Sequence, residues 1–246
     1  MPNHPVVSHE EWLVARRKLL AREREETRLR DAVNAERLAL PWERVDKDYR
    51  FQTPAGERSL GELFAGRRQL LIYHFMLAPG WEAGCTGCSF LSDHVDGALP
   101  HLEHHDVTWT AVSRAPLAEI ARYKERMAWA FPWVSSNGSD FNYDYGVSFD
   151  PARRPEEASF NYAPFPAEGG GEEQPGLSAF WRDPDGTVFH TYSSYTRGLE
   201  TIIGTLMILD RAPLGRNEGS TMDFVRRHDE YADAPAGRCC HGAAAE

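Results

Sequence analysis

The stretch Gln69-Leu70-Leu71-Ile72-Tyr73-His74-Phe75-Met76-Leu77, followed across a short loop by Gly84-Cys85-Thr86-Gly87-Cys88-Ser89-Phe90, decides how this chain is read. The first part is almost continuously apolar, as a central strand covered on both faces must be. The loop Ala78-Pro79-Gly80-Trp81-Glu82-Ala83-Gly84 contains a proline and two glycines and is irregular. From Thr86 to about Glu103, Phe90, Leu91, Val95, Ala98, Leu99 and Leu102 recur at helical spacing, and Pro100 inside the pattern is expected to kink the helix or end its first half. A strand that leads through a loop into two cysteines at the mouth of a helix is an arrangement for thiol chemistry. Free N–H groups and partial positive charge at a helix start favour a thiolate over a thiol.

The flanking chain supplies the rest of the fold. Upstream, Ser8 to Leu40 reads as one long helix, with Ser8 and Glu11 as a capping box and Pro41 as its stop. Trp12, Ala15, Leu19 and Leu20 form a short apolar stripe, and Arg22 to Asp31 is mostly charged, so this is an arm that packs along the domain or against a second subunit. Trp42 to Thr53 suggests a short strand pair ending at Pro54-Ala55-Gly56, and Ser59 to Gly66 a short helix capped by Ser59 and Glu62. Downstream, Val107–Ser113 is a second buried strand, Pro116–Met127 a helix, Phe131–Ser135 a short strand and Ser136–Gly146 a loop. Residues 151–176 are rich in Pro, Gly and Glu and read as an insertion. Asp183-Pro184-Asp185-Gly186 joins Leu177–Arg182 and Thr187–Ser193 as a hairpin. Leu199, Ile202, Ile203 and Leu206 continue it as an amphipathic helix. The order strand–helix–strand–helix, insertion, hairpin–helix specifies an α/β fold with a mixed central sheet flanked by helices. The expected divisions are a helical arm at 1–41, the main domain at 42–212, and a C-terminal extension with a flexible tail at 213–246.

Composition narrows the function. The 246 residues are 41% hydrophobic and 26% charged, ordinary for a globular protein, and the net charge of −10 argues against nucleic-acid or anionic-membrane partners. No apolar run reaches the ~18 residues that span a bilayer, and Met-Pro-Asn-His-Pro lacks a signal-peptide pattern. The cytoplasm is therefore expected, where structural disulfides are rare. The four cysteines fall as Cys85/Cys88 and Cys239/Cys240.

The element order with the CxxC in this place resembles the thioredoxin fold. More specifically, the strings LIYHFML, GCTGCSF, DHVDGALPHL, VSRAPL, FPWVSS, SDFNYDYGV and RRHDEY, spread between about Val7 and Tyr231, resemble the DUF899 family, a bacterial group of thioredoxin-like proteins described as predicted dithiol-disulfide oxidoreductases. A more distant similarity, through Asp144-Tyr145-Gly146-Val147 and the late hairpin, is to peroxiredoxins. Their Pro-x-x-x-Thr-x-x-Cys motif is missing, since Pro79 precedes Cys85 by six positions and no threonine lies in the loop.

These patterns imply a thiol-disulfide oxidoreductase in which Cys85, exposed at the helix start, attacks, and Cys88, one turn on, resolves the mixed disulfide. A peroxiredoxin-like peroxidase using Cys85 is the alternative. A non-enzymatic metal or sensory site is another, with Cys85 and Cys88 joined by His94, His101, His104, His105 or Cys239-Cys240-His241; it lacks a second CxxC. Supporting roles are open to His74 as a proton carrier beneath the cysteines, to Tyr73 if the strand has the opposite register, to Trp81 as a cover, and to Arg114, at the carboxyl edge of its strand, as a binder of thiolate or anion. A core histidine and a surface arginine would look the same in sequence. Glu82 would oppose the thiolate if it pointed inward, and Asp93 and His94 lie too far along the helix to be direct partners. No dinucleotide motif is present, so no organic cofactor is expected, and the preferred reading assigns no metal ligand. The partners expected are a disulfide or oxidised small-molecule or protein substrate, a thiol electron donor, and a second copy through the N-terminal helix. Cys239 and Cys240 fall in the tail, as a shuttle dithiol or as residues without a role.

Overall fold

The structure is a computed structural model that describes residues 4–150, 159–165 and 171–231. It divides into two units at Glu43/Arg44. The first is helix α1 (His9–Leu38), started by the reciprocal Ser8–Glu11 capping box and without a single buried residue. It ends two residues before the expected Leu40, because Leu40 precedes Pro41 and a proline disfavours helical geometry in the residue before it. The two-residue strand β1 (Glu43–Arg44) falls at the boundary.

The second unit opens with the hairpin β2 (Arg50–Thr53) and β3 (Gly56–Ser59). Gly56, at φ +100°, takes the turn conformation only glycine adopts freely, so the pair forms across Pro54-Ala55-Gly56 and not before it. Ser59 and Glu62 do cap each other, over the single 3₁₀ turn Glu62–Phe64. The core elements follow as β4 (Gln69–His74), α2 (Thr86–Ser92), α3 (Leu99–His104), β5 (Val107–Ser113), α4 (Leu117–Arg126) and β6 (Trp133–Ser135). Next come the one-turn helix α5 (Phe141–Asp144), inside the stretch expected to be loop, and the small ladder β7 (Ser159–Phe160) with β8 (Ala163–Pro164), inside the expected insertion. Last are β9 (Gly176–Arg182), β10 (Val188–Tyr195), a 3₁₀ stretch Thr196–Ile202 and α6 (Gly204–Leu209).

The sheet of this unit runs β10-β9-β4-β5-β6-β2-β3. Strands β4, β5 and β6 are parallel neighbours, while β9 is antiparallel to β4 and β10 to β9. A parallel pair joined through a helix, extended on one side by an antiparallel hairpin, with the CxxC after the first central strand, is the thioredoxin-like arrangement. Strand β4 is buried on both faces, as its apolar run requires. Tyr73 and Phe75 point into a cluster with Trp109, Ile120, Tyr123, Trp129, Phe131, Trp133 and Leu206, under α2, α4 and α6. Leu70 and Ile72 point the other way, to Phe51, Phe64, Val134, Phe141 and Phe180.

The helix expected from Thr86 to about Glu103 is broken. Asp93 and Asp96 turn their carboxylates to Trp129 Nε1 and to the N–H groups of Ala130 and Phe131, and Pro100 sits in the first turn of α3, where its missing N–H costs nothing. The extension after residue 213 is no loose tail as far as Tyr231: Val225 is 4% exposed and part of the Tyr73–Trp133 cluster.

Gly84 shows how tightly the loop before the cysteines is set. A Cβ there would stand 2.4 Å from Phe75 Cε1 and 2.8 Å from Tyr123 Cε1. Overpacking of this kind costs roughly 1–3 kcal/mol, so Gly84→Ala is expected to lower the denaturant midpoint by a corresponding amount. An unchanged midpoint would show that the rings give way freely.

Candidate active site

Strand β4 ends at His74 and not at Leu77; Phe75 still bonds Val112 and Ser113, and Met76 turns its backbone groups to the cysteines. The Met76 carbonyl accepts the Cys85 N–H at 3.1 Å, and the Met76 N–H is donated to Cys88 Sγ at 3.5 Å. Cys85 is the residue just before α2 and is half-buried; Cys88 is 1% exposed. Both are free thiols.

The two sulfurs are electrostatically unlike. The Cys85 thiol is pushed down to about 6, chiefly by the hydrogen bond it receives from the Cys88 thiol, helped by the N–H groups of Cys88 and Gly87 and by the positive charge of Arg227, against the opposing effect of burial. Burial pushes the Cys88 thiol well up, and the neighbouring Cys85 charge adds to it. Hydrogen bonds to Cys88 from the Tyr73 hydroxyl and the Met76 N–H pull the other way without prevailing. The Tyr73 phenol is itself raised, mainly by burial, so it stays protonated and acts as a donor. At pH 7 a thiol with a pKa near 6 is about nine-tenths thiolate, whereas an ordinary one near ~8.5 is a few per cent ionised. The pair therefore presents one standing nucleophile and one held proton.

A second tier fixes the turn. The Ser89 hydroxyl donates to the Cys85 carbonyl at 2.8 Å and lies 2.8 Å from the Tyr123 hydroxyl. Arg227 donates from Nε to Tyr123 at 3.1 Å and from Nη2 to the Gly84 carbonyl at 2.6 Å. Arg227 belongs to the closing segment, residues 218–231, which also places Met222 beside Gly87. Neither residue was singled out in the sequence. Arg227 lies 143 positions from Gly84, beyond any spacing argument, and its only mark was membership of the string RRHDEY.

The supporting candidates part company. Tyr73 lies on the cysteine side of β4; His74 lies on the other, between Phe141 and Tyr145, with Nε2 2.9 Å from Ser178 Oγ. Burial, with a smaller push from His190, lowers His74 to about 3, so it is neutral near pH 7 and does not sit beneath the cysteines. Trp81 is half-buried against the cluster that includes Cys88. Arg114 is neither at the surface nor at the thiolate: it pairs with Glu172 and Glu173 and donates to the Tyr143 hydroxyl at 2.7 Å. Burial raises the Glu173 carboxyl to about 7 in spite of that arginine. Glu82 is exposed. Asp93 accepts from Trp129 and faces His228 at 2.6 Å, and His94 accepts the Thr205 N–H at 3.1 Å, tying α2 to α6. His101, His104 and His105 are exposed on α3 and just after it. Among the described residues no three His, Cys, Asp or Glu side chains converge as a metal set. Cys239, Cys240 and His241 lie outside the described residues.

The family model described as a bacterial protein of unknown function, DUF899, matches residues 1–231. The chain belongs to the DUF899 family. No curated protein matches its sequence. Among solved structures, it is similar to peroxidoxin BcpB from Mycobacterium tuberculosis at 14% identity and a TM-score of 0.45, covering 69% of this chain and 97% of that one. It is also similar to a mutant of peroxiredoxin Q from Xanthomonas campestris at 13% identity and a TM-score of 0.42, covering 65% and 90%. The mitochondrial 2-Cys peroxiredoxin from Plasmodium falciparum stands at 12% identity and a TM-score of 0.40, covering 69% and 95%. Among the described residues, no helix of this DUF899 chain is long and apolar enough to cross a membrane.

The charge on Arg227 gives a direct test. Alkylation of native reduced protein should follow a titration with its midpoint at about 6, and Arg227→Gln should move that midpoint upward, towards the ordinary thiol value. Stability should follow the same sign. A thiol with a depressed pKa contributes stability that is present above its unfolded value and is lost as pH falls through the folded one. The wild-type advantage over Cys85→Ser should therefore shrink between about pH 8.5 and pH 6. A midpoint unmoved in Arg227→Gln would remove that residue from the site.

Proposed function

We propose that this protein is a thiol-disulfide oxidoreductase, with Cys85 as attacking thiol and Cys88 as resolving thiol. One observation carries this reading: Cys85 lies half-buried just before α2 while Cys88, one turn on, is fully buried, a placement that favours charge on the first sulfur and a held proton on the second. The Cys85 thiolate attacks one sulfur of a disulfide, forming a mixed disulfide and releasing the other half as a thiolate that takes a proton from water. Loss of the Cys85 charge removes one of the effects that hold the Cys88 proton in place. Cys88 then attacks the Cys85 sulfur, its proton leaves with the departing thiol, and the protein is left with a Cys85–Cys88 disulfide. Two electrons pass from the dithiol to the substrate, and an external thiol donor restores the pair. The Tyr73 hydroxyl, by donating to Cys88, favours the charge that forms on that sulfur in the second step.

The low pKa of Cys85 equally suits a peroxidase, in which Cys85 attacks a peroxide, becomes a sulfenic acid and is resolved by Cys88 with loss of water. The same proposal includes pairing of two copies through α1, where Trp12 and Leu19 are exposed; sedimentation of the full chain beside Trp12→Asp tests it, and a monomer in both removes it.

Chemistry is tested by trapping. Cys88→Ser should accumulate a one-to-one mixed disulfide at Cys85 with a disulfide substrate, seen by mass spectrometry, and Cys85→Ser should form none. Tyr73→Phe should slow the second step and leave the first unchanged. If Cys88→Ser forms no adduct with disulfides but consumes one equivalent of hydrogen peroxide, the peroxidase reading replaces this one.

A further inference from the structure

The closing segment, residues 218–231, lies across the cysteine turn and bears on what can reach Cys85. It is held at many points: Val225 is buried in the core, Phe224 packs edge-on to Phe90, Arg227 binds the Gly84 carbonyl, His228 faces Asp93, and Arg126 takes both Asp229 and Glu230. Met222 stands at the cysteine turn, beside Gly87. Its Cε lies 3.4 Å from the point a Cβ on Gly87 would occupy, and Cys85 Sγ lies 3.9 Å from the same point. The Met222 methyl and the Cys85 sulfur thus border the same space beside Gly87. The backbone at Met222 has φ +61°, a left-handed conformation that residues other than Gly, Asn and Asp rarely adopt. A methionine is thus held in this place against the local preference of the chain, with its N–H fixed by Glu218 at 2.7 Å.

We infer that Met222 is a specificity-determining residue, closing the Gly87 side of Cys85 so that the site takes low-molecular-weight disulfides and not the disulfides of folded proteins. The inference rests on the oxidoreductase reading for its substrate class, but the closure is a property of the geometry alone. A small, flexible disulfide presents its sulfur to Cys85 past the thioether. A protein disulfide brings flanking backbone that meets Met222 and a segment anchored on both sides of it.

The test uses the full reduced chain. Second-order rate constants for Cys85 alkylation are measured with iodoacetamide and with a maleimide carrying a long polyethylene glycol chain, alongside turnover of hydroxyethyl disulfide and of insulin. Because Met222 also packs against the core, the thermal unfolding of Met222→Gly is recorded beside wild type; the variant suits the left-handed backbone. It should raise the bulky-probe rate and insulin turnover about tenfold or more, a usual effect of opening a pocket by one side chain, while the iodoacetamide rate changes little. Met222→Leu, which keeps the bulk, should behave as wild type. Equal changes with both probes, no change with either, or wild-type protein turning over insulin as readily as hydroxyethyl disulfide would overturn the inference. A shifted probe ratio with no turnover of any disulfide would instead leave the closure standing and sink the oxidoreductase reading.

Discussion

The site depends on the unequal burial of two neighbouring sulfurs, one of which has no access to water. Cys88 is enclosed by Tyr73, Leu91 and the aromatic cluster, and burial makes its charged form costly. Its proton is therefore firmly held, and a held proton is a donor. Cys85, one turn earlier and closer to solvent, receives that hydrogen bond, and its charge is stabilised by it. Low polarity around the pair thus acts in opposite directions on two identical groups, raising one and, through it, lowering the other. Nothing in the CxxC spacing alone would separate them. The separation comes from the depth at which each lies.

That depth is set by the sheet and the aromatic layer under it. Just past the end of β4, where the Phe75 N–H still bonds the Val112 carbonyl at 2.9 Å, Met76 is free to bond both cysteines, so the turn is pinned to the chain directly after the central strand. Phe75, directly beside this pin, packs 4.4 Å from Trp133 and stands over Gly84, where there is room for a hydrogen alone. Tyr123 belongs to the same layer and also points its hydroxyl at Ser89 and Arg227. The ring that fills the core is thus also the link between the cysteine turn and the closing segment.

These dependencies explain which parts of the site were legible in sequence. The strand–CxxC–helix order is local, and the Asp183–Gly186 turn has its own chemistry, so the central fold could be read directly. The side on which Tyr73 and His74 lie could not. A strand buried on both faces has no polar–apolar alternation, and a shift of one residue exchanges its faces. Apolar spacing continues from Ser92 to Ala98 and makes α2 look longer than it is, because the aspartates there serve Trp129 and the chain after it in place of a helical ladder. Arg114 was placed at the correct end of its strand, but its partners Glu172 and Glu173 lie almost sixty positions away, in a stretch that reads as insertion. Arg227 and Met222 were missed for the same reason. Their contacts are tertiary, and the segment that carries them looks in sequence like the start of a polar tail.

The closing segment joins two properties that are separable in principle. Arg227 contributes positive charge to Cys85 and clasps the Gly84 carbonyl, while Met222, five residues earlier on the same segment, stands against the turn. Moving the segment far enough to uncover Cys85 would also withdraw Arg227. Access would rise as the thiolate lost one of its supports. Glu230 reinforces the coupling, since it binds Arg227 and Arg126 together, and Arg126 holds Asp229 as well. The charged contacts cannot be released one at a time without leaving a partner unmatched. A site built in this way is most reactive when it is least open, and that relation favours substrates small enough to react without asking the segment to move.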